Sequence, residues 1–391
     1  MDLIKKLTGK NPADYEAVAQ ALVDNSDKEL FCKLVKQDDF LFDFIKTNVA
    51  KRIQNACNKD NYMNLLNFFR YYSPSYDSMI ALVLYSYGGD KLFEKIRYIY
   101  LNGTNSEKAY AVKFFSFVSK ELLAELLPQL RKSAYSDFQP LAVNSAEVLS
   151  IMQDEESKNT AMKALESGDE FECFDAVKFL AAYQAKDAVD KVVEAMKKSS
   201  FSENIASEIP YLIPLSELLE QNDETAALVL CNIINAIPEI VPVTAIIDYD
   251  LYSVFEKILS KPLNSYNAVL LRLAKDKIGE IAQNEEYLFD SDKNTKESVF
   301  ELDKLLNGLN NKKLESYFYD ELFAGSDFVF FAIDYVDEIE ELESLLDSQN
   351  QTLVLKVLTL LKEKSVLNQE HKKIALNAIT SDDIKKIIEV L

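Results

Sequence analysis

The sequence predicts an all-α fold in which antiparallel helix pairs stack side by side into a superhelix, the architecture called an α-solenoid. Three observations predict it. Apolar residues recur at spacings of three and four along most of the chain. Only 8 glycines and 9 prolines occur in 391 residues, too few for the frequent turns of an all-β protein. A unit of two helices also recurs along the middle of the chain.

Helical periodicity is clearest between residues 187 and 196, where Val192, Val193 and Met196 fall on one stripe. An amphipathic helix buries such a stripe against a neighbour and turns its charged residues to solvent. The short apolar run from Phe328 to Ile333 fits either a strand or a helix. Because helical patterns flank it on both sides, we predict a buried helix there.

The repeat is visible as four similar motifs. They begin at Ala111, Ser145, Ala176 and Ile209, which are 34, 31 and 33 residues apart. A single helix pair cannot bury its apolar faces alone, so such units stack on one another. Each of the first three motifs is followed by a second amphipathic helix, over residues 121–130, 156–165 and 187–196.

Three regions follow from this pattern. Residues 1–104 are predicted to form irregular helices, an N-terminal cap with degenerate repeats. Residues 105–284 carry the clearest repeats, and residues 285–391 add further helical repeats and a C-terminal cap. We expect one continuous solenoid, with the polar stretch at 284–297 as the place for a break.

The best-defined unit runs from Gly168 to Met196. Asp169 opens its first helix, small residues and a leucine follow from Ala176 to Leu180, and the second helix begins Asp187-Ala-Val-Asp-Lys-Val-Val. On these residues the chain resembles the HEAT-repeat family, in particular its short bacterial form of the PBS-lyase type. The resemblance covers roughly residues 105–220.

The chain departs from that family at one position. HEAT repeats usually carry an arginine early in the first helix, which links neighbouring repeats through the preceding aspartate. The residues near that position in this chain are Ala109 or Tyr110, Leu141 or Ala142, and Phe174 or Asp175.

The resemblance implies that this protein functions by binding other proteins. In HEAT-like stacks the second helices line the concave face, where partners bind. We therefore expect a non-catalytic scaffold whose acidic concave surface holds a basic or amphipathic segment of a partner protein. The residues expected to form this surface are Glu121, Glu125, Glu155, Glu156, Asp187, Asp190 and Glu194.

The charge distribution agrees with such a partner. The formal net charge is −21, and residues 133–350 hold 43 of the 64 acidic residues but only 17 of the 43 basic ones. A negative surface repels phosphate backbones, so nucleic-acid binding is not expected.

Cellular location is predicted from what the sequence lacks. The N-terminus has no apolar run of signal-peptide length, and no stretch is long and apolar enough to span a membrane. The four cysteines stand far apart in apolar helical settings, typical of reduced core thiols. These observations predict a cytoplasmic protein.

The chain has one histidine, His371, in a polar helix start where we expect a solvated side chain. Metal sites like those of the HEAT-repeat iron hydroxylases need several histidines, so none can be built here. Neither a Gly-rich phosphate loop nor a nucleophile elbow occurs. We therefore predict no enzymatic activity and no cofactor.

One weak calcium motif occurs. Asp290, Asp292, Asn294 and Glu301 occupy positions 1, 3, 5 and 12 of an EF-hand loop. Thr295, however, stands where the loop needs glycine, so we expect no metal site.

Two alternatives to the scaffold remain at the sequence level. The same family resemblance includes the phycobilin lyases, so one alternative is a chromophore-binding enzyme. Mixing the protein with a linear tetrapyrrole would then shift the visible absorption band of the tetrapyrrole. The other is a structural subunit of a larger complex, which would aggregate when expressed alone because its apolar surface would be exposed. The sequence predicts neither the partner's identity nor the oligomeric state.

Overall fold

Side-chain caps fix where many of the helices begin. Asp169 accepts hydrogen bonds from the backbone N–H groups of Phe171 and Glu172. Thr104 and Glu107 form a reciprocal capping box before the helix that begins at Asn105. The first N–H groups of a helix have no partner within it, so each cap ties a helix start to one residue.

A computed structural model describes residues 12–36, 40–167, 169–284, 286–288, 291–318, 321, 326–336, 338–348, 351–379 and 382–391. Over these residues the secondary structure is helical, with no strand. The predicted all-α fold is confirmed. Within the same residues, no helix has the length and apolar character needed to cross a membrane.

The chain divides into two compact units, Met1–Ile213 and Pro214–Leu391. Short 3₁₀ turns join several helices of the first unit, for example Tyr62–Phe68 and Lys186–Ala188. The α-helices of the first unit are α1 (Pro12–Asn25), α2 (Lys28–Val35), α3 (Phe40–Ala56), α4 (Pro74–Gly88), α5 (Phe93–Asn102), α6 (Asn105–Phe115), α7 (Lys120–Leu123), α8 (Leu127–Ser133), α9 (Gln139–Met152), α10 (Glu155–Ala164), α11 (Glu170–Tyr183), α12 (Val189–Lys198) and α13 (Ser202–Leu212).

Helices of the first unit pack in a regular order. The first helices form a row in which α4 contacts α6, α6 contacts α9, α9 contacts α11 and α11 contacts α13. The second helices α5, α8, α10 and α12 each pack against the first helix that follows or precedes them in this row. The predicted helix pairs are therefore present. Their first helices begin at residues 105, 139, 170 and 202, close to the predicted period.

Aromatic rings fill the core at the N-terminal end of this unit. Phe31 stacks on Phe68 with ring centroids 4.4 Å apart, and Phe69 stacks on Tyr110 at 5.0 Å. All four side chains are buried. Large rings remove much apolar surface from water, so they hold together helices that lack the regular repeat pattern.

The second unit contains α14 (Leu215–Gln221), α15 (Asp223–Ala236), α16 (Ala245–Asp248), α17 (Leu251–Ser260), α18 (Ser265–Gln283), α19 (Lys293–Asn307), α20 (Asn311–Glu315), α21 (Val329–Ala332), α22 (Ile339–Glu343), α23 (Gln351–Glu363), α24 (Gln369–Ala378) and α25 (Asp382–Val390). The predicted buried helix at the Phe328–Ile333 run is confirmed as α21.

Two packing centres organise this unit. Helix α15 is buried on nearly every side from Ala226 to Ile234 and packs against α18. An apolar cluster from Val329 to Ile388 joins α21 to α25. Helices α18 and α19 pack together on either side of residues 284–292. The division between the two units falls between Ile213 and Pro214.

The four thiols are unpaired, and three of them are buried. Burial raises the pKa of the Cys57 thiol to about 12, with Asp24 acting in the same direction. A thiol of this kind stays protonated at neutral pH and packs as a small apolar group.

Candidate functional site

Ion pairs between second helices tie successive repeats together. Each joins a basic residue of one second helix to an acidic residue at the edge of a neighbouring repeat. The pairs are Arg97–Glu125, Arg131–Glu156, Lys158–Asp187 and Lys191–Glu166, at N–O distances of 3.2, 2.6, 2.8 and 2.8 Å.

The seven acidic residues predicted to bind a partner are all exposed, but most have a cationic neighbour. Lys158 contacts both Glu155 and Asp187, and Glu194 lies 3.3 Å from Lys197. Glu125 and Glu156 belong to the inter-repeat pairs just described. Among the described residues, Glu121 and Asp190 form no ion pair. The second helices therefore present alternating charges, with a few carboxylates left open to a partner.

Two of those residues, Asp190 and Glu194, line a cavity of about 670 Å³ at the edge of the repeat formed by α10, α11 and α12. We call it the acidic groove. It holds four carboxylates and two lysines. Its lining is Leu165, Glu166, Ser167, Glu170, Cys173, Asp190, Lys191, Glu194, Ala195, Lys198 and Ser199.

The groove follows from the amphipathic pattern of α12. Val192, Val193 and Met196 are buried against the neighbouring helices. Because helical neighbours lie three and four residues apart, Asp190 and Glu194 then share the opposite, solvent-facing side. The sequence pattern thus predicts which α12 residues reach the groove.

Glu170 is held in place at one wall of the groove. Its carboxylate accepts hydrogen bonds from the backbone N–H of Ser200 at 2.8 Å and from the Ser200 hydroxyl at 2.5 Å. These bonds lower the pKa of Glu170, so this wall carries a fixed negative charge at neutral pH.

Glu166 also lines the groove, and it contacts Lys191 at 2.8 Å. The hydrogen bond from Lys191 lowers the pKa of Glu166. These two residues therefore form a charge pair, and among the described residues the groove carboxylates without an ion pair are Glu170 and Asp190.

The inner surface of the groove is apolar. Leu165 and Ala195 contribute aliphatic surface. The buried Cys173 thiol also lines the groove, with its sulfur 3.8 Å from the carbonyl oxygen of Leu165. Burial raises the pKa of the Cys173 thiol, and Glu170 adds to the effect. The thiol therefore stays protonated at neutral pH and is a poor nucleophile.

The calcium motif does not form a loop. Helix α19 begins at Lys293, so Asn294 and Glu301 both lie within it, and Asp292 is its N-cap, accepting a hydrogen bond from the backbone N–H of Thr295 at 2.6 Å. Glu301 lies nine positions after Asp292, which is about 13 Å along the helix axis, so the two carboxylates are too far apart to share one ion. Asp290 lies outside the described residues. Over the part of the chain that is described, no group of three or more His, Cys, Asp and Glu side chains could hold a metal ion.

His371 is buried, and the prediction of a solvated side chain is wrong. It retains 6% of its accessible surface. Its Nε2 lies 2.8 Å from Oε1 of Glu343, and its Nδ1 accepts a hydrogen bond from the backbone N–H of Asn368. The local sequence is polar, but Glu343 stands 28 residues earlier and only the packed structure brings it to the ring.

The fold and the groove define a class: an all-α protein of consecutively packed helix pairs, with a negatively charged groove at the edge of one pair. Comparison with models of known protein families and with curated proteins finds no match for this chain. The HEAT-like resemblance therefore stays a prediction drawn from the sequence.

Proposed function

We propose that this protein is a non-catalytic interaction scaffold, and that its acidic groove binds a basic segment of a partner protein. The observation that carries the proposal is the combination of an exposed, unpaired Asp190 with an apolar inner surface in a cavity of about 670 Å³. A cavity of this size accommodates one or two side chains of a bound segment.

Lysine and arginine fit both parts of the groove. Their aliphatic stems pack on apolar surface while the charged head remains in contact with water or an anion. In the acidic groove the stem would lie against Leu165 and Ala195, and the head would reach Asp190 and Glu194. Arginine can donate two parallel hydrogen bonds to a carboxylate, which favours it over lysine.

The family resemblance also places the partner-binding surface on the second helices. Partners of HEAT-like proteins bind along the second helices, and α12 is a second helix. The negative charge of the groove also gives a reason for attraction at a distance, because complementary charges raise association rates.

A binding assay with a charged probe tests this proposal. The probe is a fluorescein-labelled peptide of alternating arginine and serine, with fluorescence anisotropy as the readout. Replacing both groove residues, Asp190→Lys with Glu194→Lys, should weaken binding by about tenfold or more at low salt. The matched control, Glu16→Lys with Asp60→Lys, makes the same charge change at exposed acids outside the groove.

The two double variants separate a site from a general charge effect. The proposal holds when the groove variant loses binding and the control keeps most of it. Equal loss in both variants would show only non-specific attraction to an acidic protein, and unchanged binding in the groove variant would refute the groove as the site.

A further inference from the structure

A second concave surface lies on the first-helix side of the same repeats. It is a cavity of about 310 Å³ between α9 and α11, and exposed aromatic rings continue it toward α13. We call this surface the aromatic groove. Its cavity is lined by Ala134, Tyr135, Ser136, Asp137, Gln139, Ala142, Val143, Ala146, Asp175, Lys178, Phe179 and Ala182.

The wall of the cavity is a pair of stacked rings. Tyr135 and Phe179 lie nearly parallel, with centroids 5.6 Å apart. Phe179 is buried, whereas Tyr135 keeps 48% of its surface exposed. Tyr135 is thus a ring held in a fixed orientation by the core with one face open, a form well suited to contact with an apolar side chain.

Three phenylalanines extend this surface. Phe171 and Phe174 of α11 pack against Phe201, with centroids 5.3 and 6.1 Å away. Phe171 keeps 72% of its surface exposed, which is unusual for a large apolar ring. Lys178 lies over the Phe174 ring at 4.8 Å, and Lys178 also lines the cavity, so the two parts adjoin.

Alanines make room for a ligand. Ala142 and Ala146 on α9 and Ala182 on α11 all line the cavity. Side chains this small leave a depression between two packed helices that larger residues would fill. The depression ends at the stacked rings, so an inserted side chain would meet aromatic surface.

Carboxylates surround the rings. Asp137 and Asp175 line the cavity. Glu172 lies on α11 about one turn before Asp175 and is exposed. Burial raises the pKa of Tyr135, and so do Asp175 and then Glu172, which places both carboxylates near the ring. Lys178 contacts Asp175 at 2.6 Å and offsets one charge. The rim retains a net negative charge.

The two grooves lie on opposite sides of α11. Cys173 belongs to the acidic groove, and Asp175 belongs to the aromatic groove. At about 100° per residue these positions are about 200° apart around the helix axis. Helix α12 completes the first groove and helix α9 the second, so a ligand in one does not occupy the other.

We infer that the aromatic groove is a second docking surface, and that it binds an amphipathic helix of a partner protein carrying apolar anchors and basic flanks. Over the described residues there is no sheet edge to which a strand could be added, so recognition falls to side chains, as when a helix lies in a groove. The exposed ring of Phe171 and the cavity-lining Lys178 are seven residues apart, about 10 Å along α11. Anchors two turns apart on the bound helix match this distance.

This inference goes beyond the proposed function, because it adds a second partner. With both grooves filled, the protein would hold two segments on opposite sides of α11. Such an arrangement is what an adaptor needs, and neither site depends on the other for its lining.

The test uses two synthetic peptides of equal composition, each about 18 residues of leucine and lysine. One places all leucines on one face of a helix, and the other is scrambled to have no apolar face. Both are labelled and titrated with the full chain at about 150 mM salt, where purely ionic attraction is screened. Tight binding of the amphipathic peptide alone is the expected result.

Variants locate that binding. Tyr135→Ala with Phe171→Ala should weaken it by about tenfold or more. Tyr98→Ala with Leu101→Ala removes equally exposed apolar side chains elsewhere in the unit and should leave binding unchanged. Ala182→Arg is a second, independent variant that fills the depression with a like-charged head, and it should also abolish binding. Circular dichroism melts confirm that each variant is folded.

Two outcomes would contradict the aromatic groove as a docking surface for a partner helix. Unchanged binding in both aromatic-groove variants would overturn the inference. So would self-association of the free protein that Tyr135→Ala with Phe171→Ala abolishes, because a second copy would then occupy the surface. The acidic groove is tested separately: Asp190→Lys with Glu194→Lys should affect the arginine–serine probe and leave the amphipathic peptide bound.

Discussion

Arg131 donates two hydrogen bonds from its guanidinium to the carboxylate of Asp154, at 2.9 Å from Nε and 2.6 Å from Nη2. The same carboxylate caps α10 by accepting a hydrogen bond from the backbone N–H of Ser157. Asp154 keeps only 8% of its surface. One side chain thus starts a helix and joins it to α8 of the preceding repeat.

Replacing Asp154 by asparagine should lower the free energy of unfolding by about 2 kcal/mol, because a capping acceptor and a two-point ion pair are both weakened. Urea denaturation at neutral pH measures the change. Asp137→Asn, at an exposed carboxylate with no described ion pair, is the control and should stay within about 0.5 kcal/mol of the parent.

The effect of Asp154 should also depend on pH. Burial opposes its ionisation, but the hydrogen bonds from Arg131 and Ser157 outweigh burial and lower its pKa below 3.8. A carboxyl with a depressed pKa stabilises the fold above the unfolded pKa and loses that effect as pH falls through the folded one. The stability gap between the parent and Asp154→Asn should therefore narrow below about pH 4. A gap that is constant with pH would contradict the ion pair.

Glu208 should show the opposite pH dependence. Burial raises its pKa above 4.5, although Lys178 acts against the shift. The folded state then binds more protons than the unfolded state, so stability falls as pH rises from 4.5 through the folded pKa. Glu208→Gln should be more stable than the parent at pH 7, and the difference in the free energy of unfolding should vanish near pH 4. Thermal melts at the two pH values measure this, and a destabilised variant at pH 7 would refute it.

His371 should be a structural residue. His371→Ala removes the contact with Glu343 and the acceptor for the Asn368 N–H, so we expect a loss of about 1–2 kcal/mol in the free energy of unfolding. Lys373→Ala, two residues later and exposed, is the matched control and should be near neutral. Equal stability of the two variants would restore the view of His371 as a solvated residue.

Calcium should leave the protein unchanged. Adding calcium should not shift the melting temperature, because Asp292 caps α19 and does not belong to a loop. Asp292→Ala should lower the free energy of unfolding by about 1 kcal/mol with or without calcium. Heat of calcium binding in calorimetry that disappears in this variant would contradict the prediction.

The two grooves show the limit of prediction from sequence. The stripe of Val192, Val193 and Met196 indicated that Asp190 and Glu194 face solvent, because helical faces follow from residues three and four apart. The same pattern could not reveal that Glu170 meets Ser200, since these residues are 30 positions apart. Likewise, no local signal pairs Tyr135 with Phe179.

The sequence by itself determined that this protein is all-α and which faces its clearest repeat helices bury, because periodicity and caps act over a few residues. Only the tertiary structure decided which carboxylates are paired, where the grooves open and that His371 is buried. Those features depend on contacts such as Lys158–Asp187 and His371–Glu343, which join residues about one repeat apart. Their partners are set by how the helices pack, and packing depends on the whole set of interlocking side chains.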